Sequence, residues 1–109
     1  MTVRLLSCAE VELDDAIAWY DAQVPGLGRT FLLEVLRICR LIEQFPDAWH
    51  PLTPELRRCR LARFPYGVIY AKEQVDIVIV AVAHLHRAPR YWKSRVQRDV
   101  AGSFTPRSK

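Results

Sequence analysis

The stretch "RRCRLARFPYGVIYAKEQVDIVIVAVAH", residues 57–84, decides the expected fold because it reads as three consecutive strands. Cys59 and Leu61 alternate with arginines, as in a strand with one buried face and one basic face. The turn "FPYG" leads into a second strand at 68–72, and "EQ" makes a tight connection to a third strand at 75–83. The third strand is apolar on both faces, which predicts a central strand that is covered on both sides.

The residues before this stretch predict two amphipathic helices joined by a short turn. Apolar residues recur at helical spacing over 8–23 and again over 28–45, and "PGLG" at 25–28 ends the first helix. The segment "SCAE" at 7–10 has the pattern of a capping box at the start of that helix. A short strand, "VRLL" at 3–6, precedes it. Two amphipathic helices with a short turn between them form an antiparallel pair.

The order of these elements predicts an α+β fold. An N-terminal strand is followed by an antiparallel helical hairpin that packs on one face of an antiparallel β-sheet, and a short C-terminal helix follows at about 90–98. We place a single domain at 1–98 and a flexible C-terminal tail at 99–109. No apolar run is long enough for a membrane helix or an export signal, so we expect a cytoplasmic protein.

Charge is distributed unevenly between the two halves of the chain. Residues 1–56 hold four Lys and Arg against nine Asp and Glu, a net charge of −5, whereas residues 57–109 hold twelve against three, a net charge of +9. A basic half of this size attracts polyanions, either nucleic acid or an acidic protein segment. The competing interpretation is an ordinary solvated surface with scattered ion pairs.

Basic and aromatic side chains cluster on the first predicted strand and after the third. Guanidinium groups suit phosphates and carboxylates alike, and aromatic rings can stack on bases. For Trp92 we favour packing of the terminal helix onto the sheet, whereas Tyr91 could either stack or pack. The candidate binding residues are Arg58, Arg60, Arg63, Arg87, Arg90, Tyr91 and Trp92.

No metal or cofactor site is predicted. His84 and His86 could share one side of a strand, but zinc needs a third ligand, and His50 lies in a distant loop. The three cysteines are far apart and lack CxxC spacing, which favours reduced thiols that are buried as small hydrophobes. No P-loop, nucleophile elbow or dinucleotide fingerprint is present.

Four segments taken in order resemble the ParE/RelE superfamily of toxins from bacterial type II toxin–antitoxin systems, and the ParE branch in particular. They are "AIAWYDAQVPGLG", "FLLEVLRICRLIEQFP", "RRCRLARFPYGVIYAK" and "VIVAVAHLHRAPRYWKSR". The resemblance covers about 3–98. It implies a compact plasmid-stabilisation toxin that binds a cognate antitoxin as a hetero-oligomer, and that acts on DNA gyrase without being an enzyme.

The resemblance also implies an alternative activity, since RelE-like toxins are metal-independent endoribonucleases that cleave mRNA on the ribosome. Arg58, Arg60 and Tyr91 match basic and tyrosine positions of that branch, and Arg87 lies two residues from another. Gly67 and Leu85, however, stand where RelE-like toxins carry arginines. Without arginines at these two positions, the site lacks much of the positive charge that stabilises the transition state of RNA cleavage. A basic binding module without toxicity is the third hypothesis.

Overall fold

A computed structural model describes residues 2–87, 91–98 and 104–106. Two helices and a five-stranded sheet form its body, and a 3-10 helix and a two-stranded ribbon follow. The elements are β1 (Thr2–Leu5), α1 (Ser7–Gln23), α2 (Leu27–Gln44), β2 (His50–Pro51), β3 (Leu56–Arg60), β4 (Tyr66–Lys72), β5 (Asp76–His84), the 3-10 helix (Tyr91–Arg95), β6 (Val96–Arg98) and β7 (Phe104–Pro106).

The sheet has the strand order β1-β5-β4-β3-β2, which places β5 and β4 inside it. Strands β2 to β5 pair antiparallel, as the alternating sequence predicts. Strand β1 pairs parallel with β5, with Thr2 opposite Asp76 and Leu5 opposite Ile79. The α+β class with a helical hairpin on a sheet is therefore confirmed, but the sheet is mixed rather than purely antiparallel. The two helices carry the chain between β1 and the other strands, so β1 can join β5 in parallel.

The turn between the helices is fixed by one carboxylate. The Asp21 Oδ1 atom accepts hydrogen bonds from the amides of Gly26 and Gly28, each at 3.0 Å. Gly26 has a φ of 89°, in the left-handed region that glycine adopts without steric cost. A Cβ atom on Gly28 would lie 2.5 Å from the carbonyl oxygen of Ile17. This glycine therefore allows α2 to approach the backbone of α1.

The predicted capping box does not form. The first helix begins at Ser7 with Leu6 in the N-cap position, and no side chain caps it. The amide of Glu10 instead donates to the carbonyl oxygen of Leu6 at 3.0 Å. The prediction was wrong because the helix begins one residue earlier than a box with Ser7 as its cap requires.

The core lies on both faces of the sheet. On the face that the helices cover, an aromatic cluster places the rings of Phe64 and Tyr66 4.9–6.1 Å from those of Tyr20 and Phe31. The opposite face buries a second cluster, in which Trp92 of the 3-10 helix is 6% exposed. Packing of Trp92 onto the sheet, the interpretation that we favoured from the sequence, is thus observed.

A β-bulge interrupts the longest strand. Ile69 and Tyr70 are adjacent on β4, yet their partners on β5 are Ala81 and Ile79. Val80 is therefore an extra residue without a partner in the register. Side chains of β5 exchange faces at this point: Ile77 and Ile79 lie in the cluster under the helices, whereas Ala81 and Ala83 lie in the cluster with Trp92.

The C-terminal segment differs from its prediction. A 3-10 helix at Tyr91–Arg95 and a strand at Val96–Arg98 replace the expected α-helix at about 90–98. The strand pairs with Phe104–Pro106, a segment that falls inside the tail predicted to be flexible. Residues 99–103 and 107–109 of that tail lie outside the described residues. The domain limit at 98 stays a prediction.

Candidate functional site

A groove of about 520 Å³ opens on the sheet face opposite the helical hairpin. Strands β3, β4 and β5 and Trp92 of the 3-10 helix supply its floor, and Tyr91 and the β2 segment lie at its sides. Two arginines and three histidines line it, and no acidic residue does so in the part of the chain that the structure describes. The lining residues are His50, Pro51, Leu52, Arg58, Ile69, Ala83, His84, Leu85, His86, Arg87, Tyr91 and Trp92.

Arg58 lies across the sheet within this groove. A Cβ atom built on Gly67, one strand away, would lie 2.9 Å from both Cγ and Cδ of Arg58. The missing side chain of Gly67 therefore makes room for the aliphatic stem of the arginine. The Arg58 Nε atom is buried and has no hydrogen-bond partner. Arg58 is thus a lining residue of the groove that carries a buried donor without a partner, where the sequence predicted only a basic strand face.

Glu12 of α1 forms hydrogen bonds with two residues of the C-terminal segment, Tyr91 and Arg95. Its carboxylate accepts hydrogen bonds from the Tyr91 hydroxyl at 2.7 Å and from the Arg95 guanidinium at 2.8 and 2.9 Å. Arg87 completes the group, 3.5 Å from Glu12 and with its guanidinium 3.8 Å from the centre of the Tyr91 ring. Burial, together with the bond to Glu12, raises the pKa of the Tyr91 hydroxyl well above its usual range. The Tyr91 hydroxyl is therefore a donor to a carboxylate and not a free base.

The same carboxylate completes the hydrogen bonding of β5. Strand β1 ends at Leu5, so the part of β5 beyond the bulge has no strand neighbour on that side. Glu12 accepts from the amide of Val82 at 3.0 Å, and Arg95 donates to the carbonyl oxygen of Val80 at 3.0 Å. The Glu12–Arg95 pair therefore satisfies backbone groups that the bulge and the short β1 leave open.

The structure brings together some of the candidate residues predicted from the sequence and separates others. Arg58, Arg87, Tyr91 and Trp92 line the one groove. Arg60 is exposed at the end of β3 and does not line the groove. Arg63 is exposed in the turn between β3 and β4, where it pairs with a buried carboxylate. Arg90 lies outside the described residues.

Comparison with known proteins assigns the chain to a family. The sequence model of the ParE toxin of the type II toxin–antitoxin system, parDE, matches residues 3–89. Toxin ParE2 of Mycobacterium tuberculosis, found in strains CDC 1551 / Oshkosh and ATCC 25618 / H37Rv, is 30% identical over 101 residues, 92% of each chain. The chain belongs to the ParE toxin family. The resemblance to ParE seen in the sequence is thereby confirmed.

The fold of the ParE family is also found in a solved structure. The chromosomal ParDE toxin–antitoxin system from P. aeruginosa contains a chain that superposes with a TM-score of 0.59 at 16% identity. The match covers 79% of this chain and 97% of that chain. At this identity the likeness concerns the fold alone. The family match ends at 89, so the 3-10 helix that closes the groove lies beyond it.

Arg63, which the sequence suggested as a binding residue of this ParE-family chain, is anchored by Glu34. The Glu34 carboxylate is 4% exposed and accepts hydrogen bonds from the Arg63 amide at 2.9 Å, from Arg63 Nε at 3.1 Å and from the Ala62 amide. Burial acts to raise the pKa of Glu34, but these bonds and the Arg63 charge outweigh it, and the pKa is lowered from 4.5. The ion pair holds the β3–β4 turn against α2.

This ion pair predicts a pH-dependent stability. A carboxyl whose pKa is lower in the folded state stabilises the protein above its unfolded pKa, and the contribution is lost as the pH falls through the folded pKa. We expect Glu34→Gln to lower the free energy of unfolding by about 2 kcal/mol at neutral pH. Thermal unfolding at decreasing pH should show this difference narrowing below the ordinary Glu34 pKa of 4.5. A difference that stays constant down to acid denaturation would contradict this role of Glu34.

Neither Glu12 nor Glu34 is among the candidate residues predicted from the sequence. Both carry a signal that could have found them, because each lies at helical spacing from buried residues. Ala9 and Ala16 flank Glu12 at three and four positions, and Phe31 and Ile38 stand in the same relation to Glu34. An acidic residue on a buried stripe needs cationic or amide partners. By contrast Leu36 and Phe45, which belong to the apolar residues at helical spacing over 28–45, are 42% and 56% exposed.

Neither metal ligation nor thiol chemistry is indicated by the described residues. Within 2–87 and the described C-terminal segments, no group of three or more His, Cys, Asp or Glu residues could hold a metal ion. Cys8, Cys39 and Cys59 are free thiols. Burial is the main reason that the pKa of Cys39 and that of Cys59 are each raised to about 11, which keeps these thiols protonated and unreactive. None of the described helices is long and apolar enough to cross a membrane.

Proposed function

We propose that this protein inhibits DNA gyrase by binding to it in the cytoplasm, and that a cognate antitoxin neutralises it. Membership of the ParE family supports the toxin part of the proposal. The contacts of the Tyr91 side chain favour gyrase binding over ribonuclease chemistry. Its hydroxyl donates to Glu12 at 2.7 Å and its ring is covered by Arg87, so it is not available as an acid or base.

Two further positions weaken the RelE-like alternative. Gly67 has no side chain, and the stem of Arg58 occupies the space beside it. Leu85 contributes only an aliphatic side chain to the groove. Cleavage of a phosphodiester without a metal needs several cations placed around the reacting phosphate. The groove offers Arg58 and Arg87 for this purpose, and Arg87 is already shared between Glu12 and Tyr91.

An antitoxin surface is supported by the exposed apolar residues of the helical hairpin. Leu33 and Leu36 lie one turn apart on α2 and are 50% and 42% exposed, and Trp19 of α1 is 58% exposed. Arg60 adds an exposed positive charge at the end of β3. An acidic, amphipathic antitoxin segment that folds as it binds would complement both the apolar surface and the positive charge. The resulting complex is a hetero-oligomer.

Induced expression of the chain should stop growth and produce filaments, because stalled gyrase damages DNA. Co-expression of a short neighbouring gene with an acidic end should restore growth. Primer extension on mRNA from the arrested cells should show no codon-phased cuts. Such cuts would favour the RelE-like ribonuclease, and continued normal growth would favour the basic binding module without toxicity.

A further inference from the structure

The groove beside the 3-10 helix has a composition that gyrase inhibition does not explain. Its floor is apolar, with Ile69, Ala83 and the buried Trp92. Its rim is cationic or imidazole-bearing, and none of its described lining residues is acidic. An apolar floor with a few convergent polar groups is the usual form of a small-molecule site. The excess of positive charge specifies an anionic ligand.

Arg58 indicates which kind of anion is bound. Its Nε atom is buried without a hydrogen-bond partner, and the Arg58 side chain forms no ion pair with any carboxylate of the described residues. A buried unsatisfied donor is costly, and for a charged group the cost is larger still. The sheet holds the stem of Arg58 in place over Gly67, so the donor is retained in a fixed position. An oxyanion is the acceptor that suits a guanidinium group best.

The size of the groove favours a ligand larger than a single oxyanion. A volume of about 520 Å³ falls within the range of small-molecule sites, whereas a free phosphate or a carboxylate would fill a small part of it. A phosphate on Arg58 would leave the apolar floor free to contact a planar base. We propose that the groove binds a nucleoside monophosphate, either free or as the 5′-terminal unit of a single strand, with the phosphate on Arg58. The ligand is held and not cleaved, since the Tyr91 hydroxyl is committed to Glu12.

Titration calorimetry on the purified 109-residue chain tests this proposal with four probes. They are adenosine 5′-monophosphate, adenosine, inorganic phosphate and a short single-stranded oligonucleotide with a 5′-phosphate. We expect the monophosphate to bind with a Kd below about 1 mM, and at least about tenfold more tightly than adenosine or phosphate. Tighter binding of the oligonucleotide would identify a strand end as the source of the ligand, and equal binding would identify the free nucleotide.

Two variants and one control locate the phosphate. Arg58→Gln should weaken monophosphate binding by about tenfold, the loss expected for a charge-assisted contact. Arg60→Gln removes the same charge two residues away, outside the groove, and should change binding by less than about twofold. His86→Gln, at an exposed lining position, should weaken binding by about threefold and serves if the Arg58 variant does not fold.

Three results would overturn the proposal: no binding of the monophosphate, equal binding of adenosine or phosphate, or equal losses for the Arg58 and Arg60 variants. The assay contains no gyrase and no antitoxin. The nucleotide site and the proposed toxin activity can therefore succeed or fail separately.

Discussion

Replacing Ile79 with aspartate is expected to leave the protein unfolded. Ile79 is 0% exposed and lies on β5, which has β1 on one side and β4 on the other. Truncating a buried isoleucine costs about 2–5 kcal/mol, and an unpaired carboxylate in the core adds several more. Domains of this kind are stable by only about 5–15 kcal/mol, so the substitution removes most or all of that margin.

The matched control for Ile79 is Val75, which precedes the same strand and is 71% exposed. Val75→Asp should change the free energy of unfolding by about 0.5 kcal/mol or less. Circular dichroism during heating would compare the two variants with the parent protein. A cooperative transition of normal midpoint for the Ile79 variant would show that the position of β5 at the centre of the sheet is wrong.

Replacing Glu12 with alanine is expected to produce the second-largest loss of stability. The substitution removes the acceptor of the Tyr91 hydroxyl, the Arg95 guanidinium and the Val82 amide at once. Arg95 is only 17% exposed, so its charge would be left largely buried without a carboxylate to balance it. Removing one partner of a buried ion pair lowers the free energy of unfolding by about 3 kcal/mol or more.

Asp14→Ala provides the control for Glu12, because Asp14 is an exposed acidic residue on the same helix. This substitution should lower the free energy of unfolding by about 0.5 kcal/mol or less. Hydrogen exchange gives a local readout, since the Val82 amide should lose protection in the Glu12 variant and keep it in the Asp14 variant. Equal thermal midpoints for the two variants would mean that Glu12 does not hold the C-terminal segment.

Local patterns in the sequence predict the elements well where one face of each element is buried. The alternation around Cys59 predicts β3, and the aliphatic run around Ile79 predicts β5. The parallel pairing of β1 with β5 could not be predicted in this way, because its partners, such as Thr2 and Asp76, are more than seventy positions apart. The bulge at Val80 likewise depends on how two strands align, which neither strand specifies alone.

For the candidate site, too, local sequence patterns predict some features, whereas others depend on residues that are distant in the sequence. Clustering of basic residues correctly selects Arg58, Arg87 and Tyr91 as neighbours in space, since two strand ends and the following turn converge. The partners of these residues were not predictable from clustering. Glu12 is remote in sequence from Tyr91, and Glu34 is remote from Arg63, yet each carboxylate accepts a hydrogen bond from the side chain of its partner. Charge patterns identify a surface, and only packing shows which charges on it are already neutralised.

Supercoiling of relaxed plasmid by purified DNA gyrase, with the chain added at increasing molar ratio, tests the central claim most directly. We expect supercoiling to be lost once the chain is in molar excess over gyrase, and to be retained when the chain is first mixed with its antitoxin. The control is the heat-unfolded chain, which should have no effect. Full supercoiling in the presence of excess folded chain would contradict the proposal that this ParE-family protein inhibits gyrase.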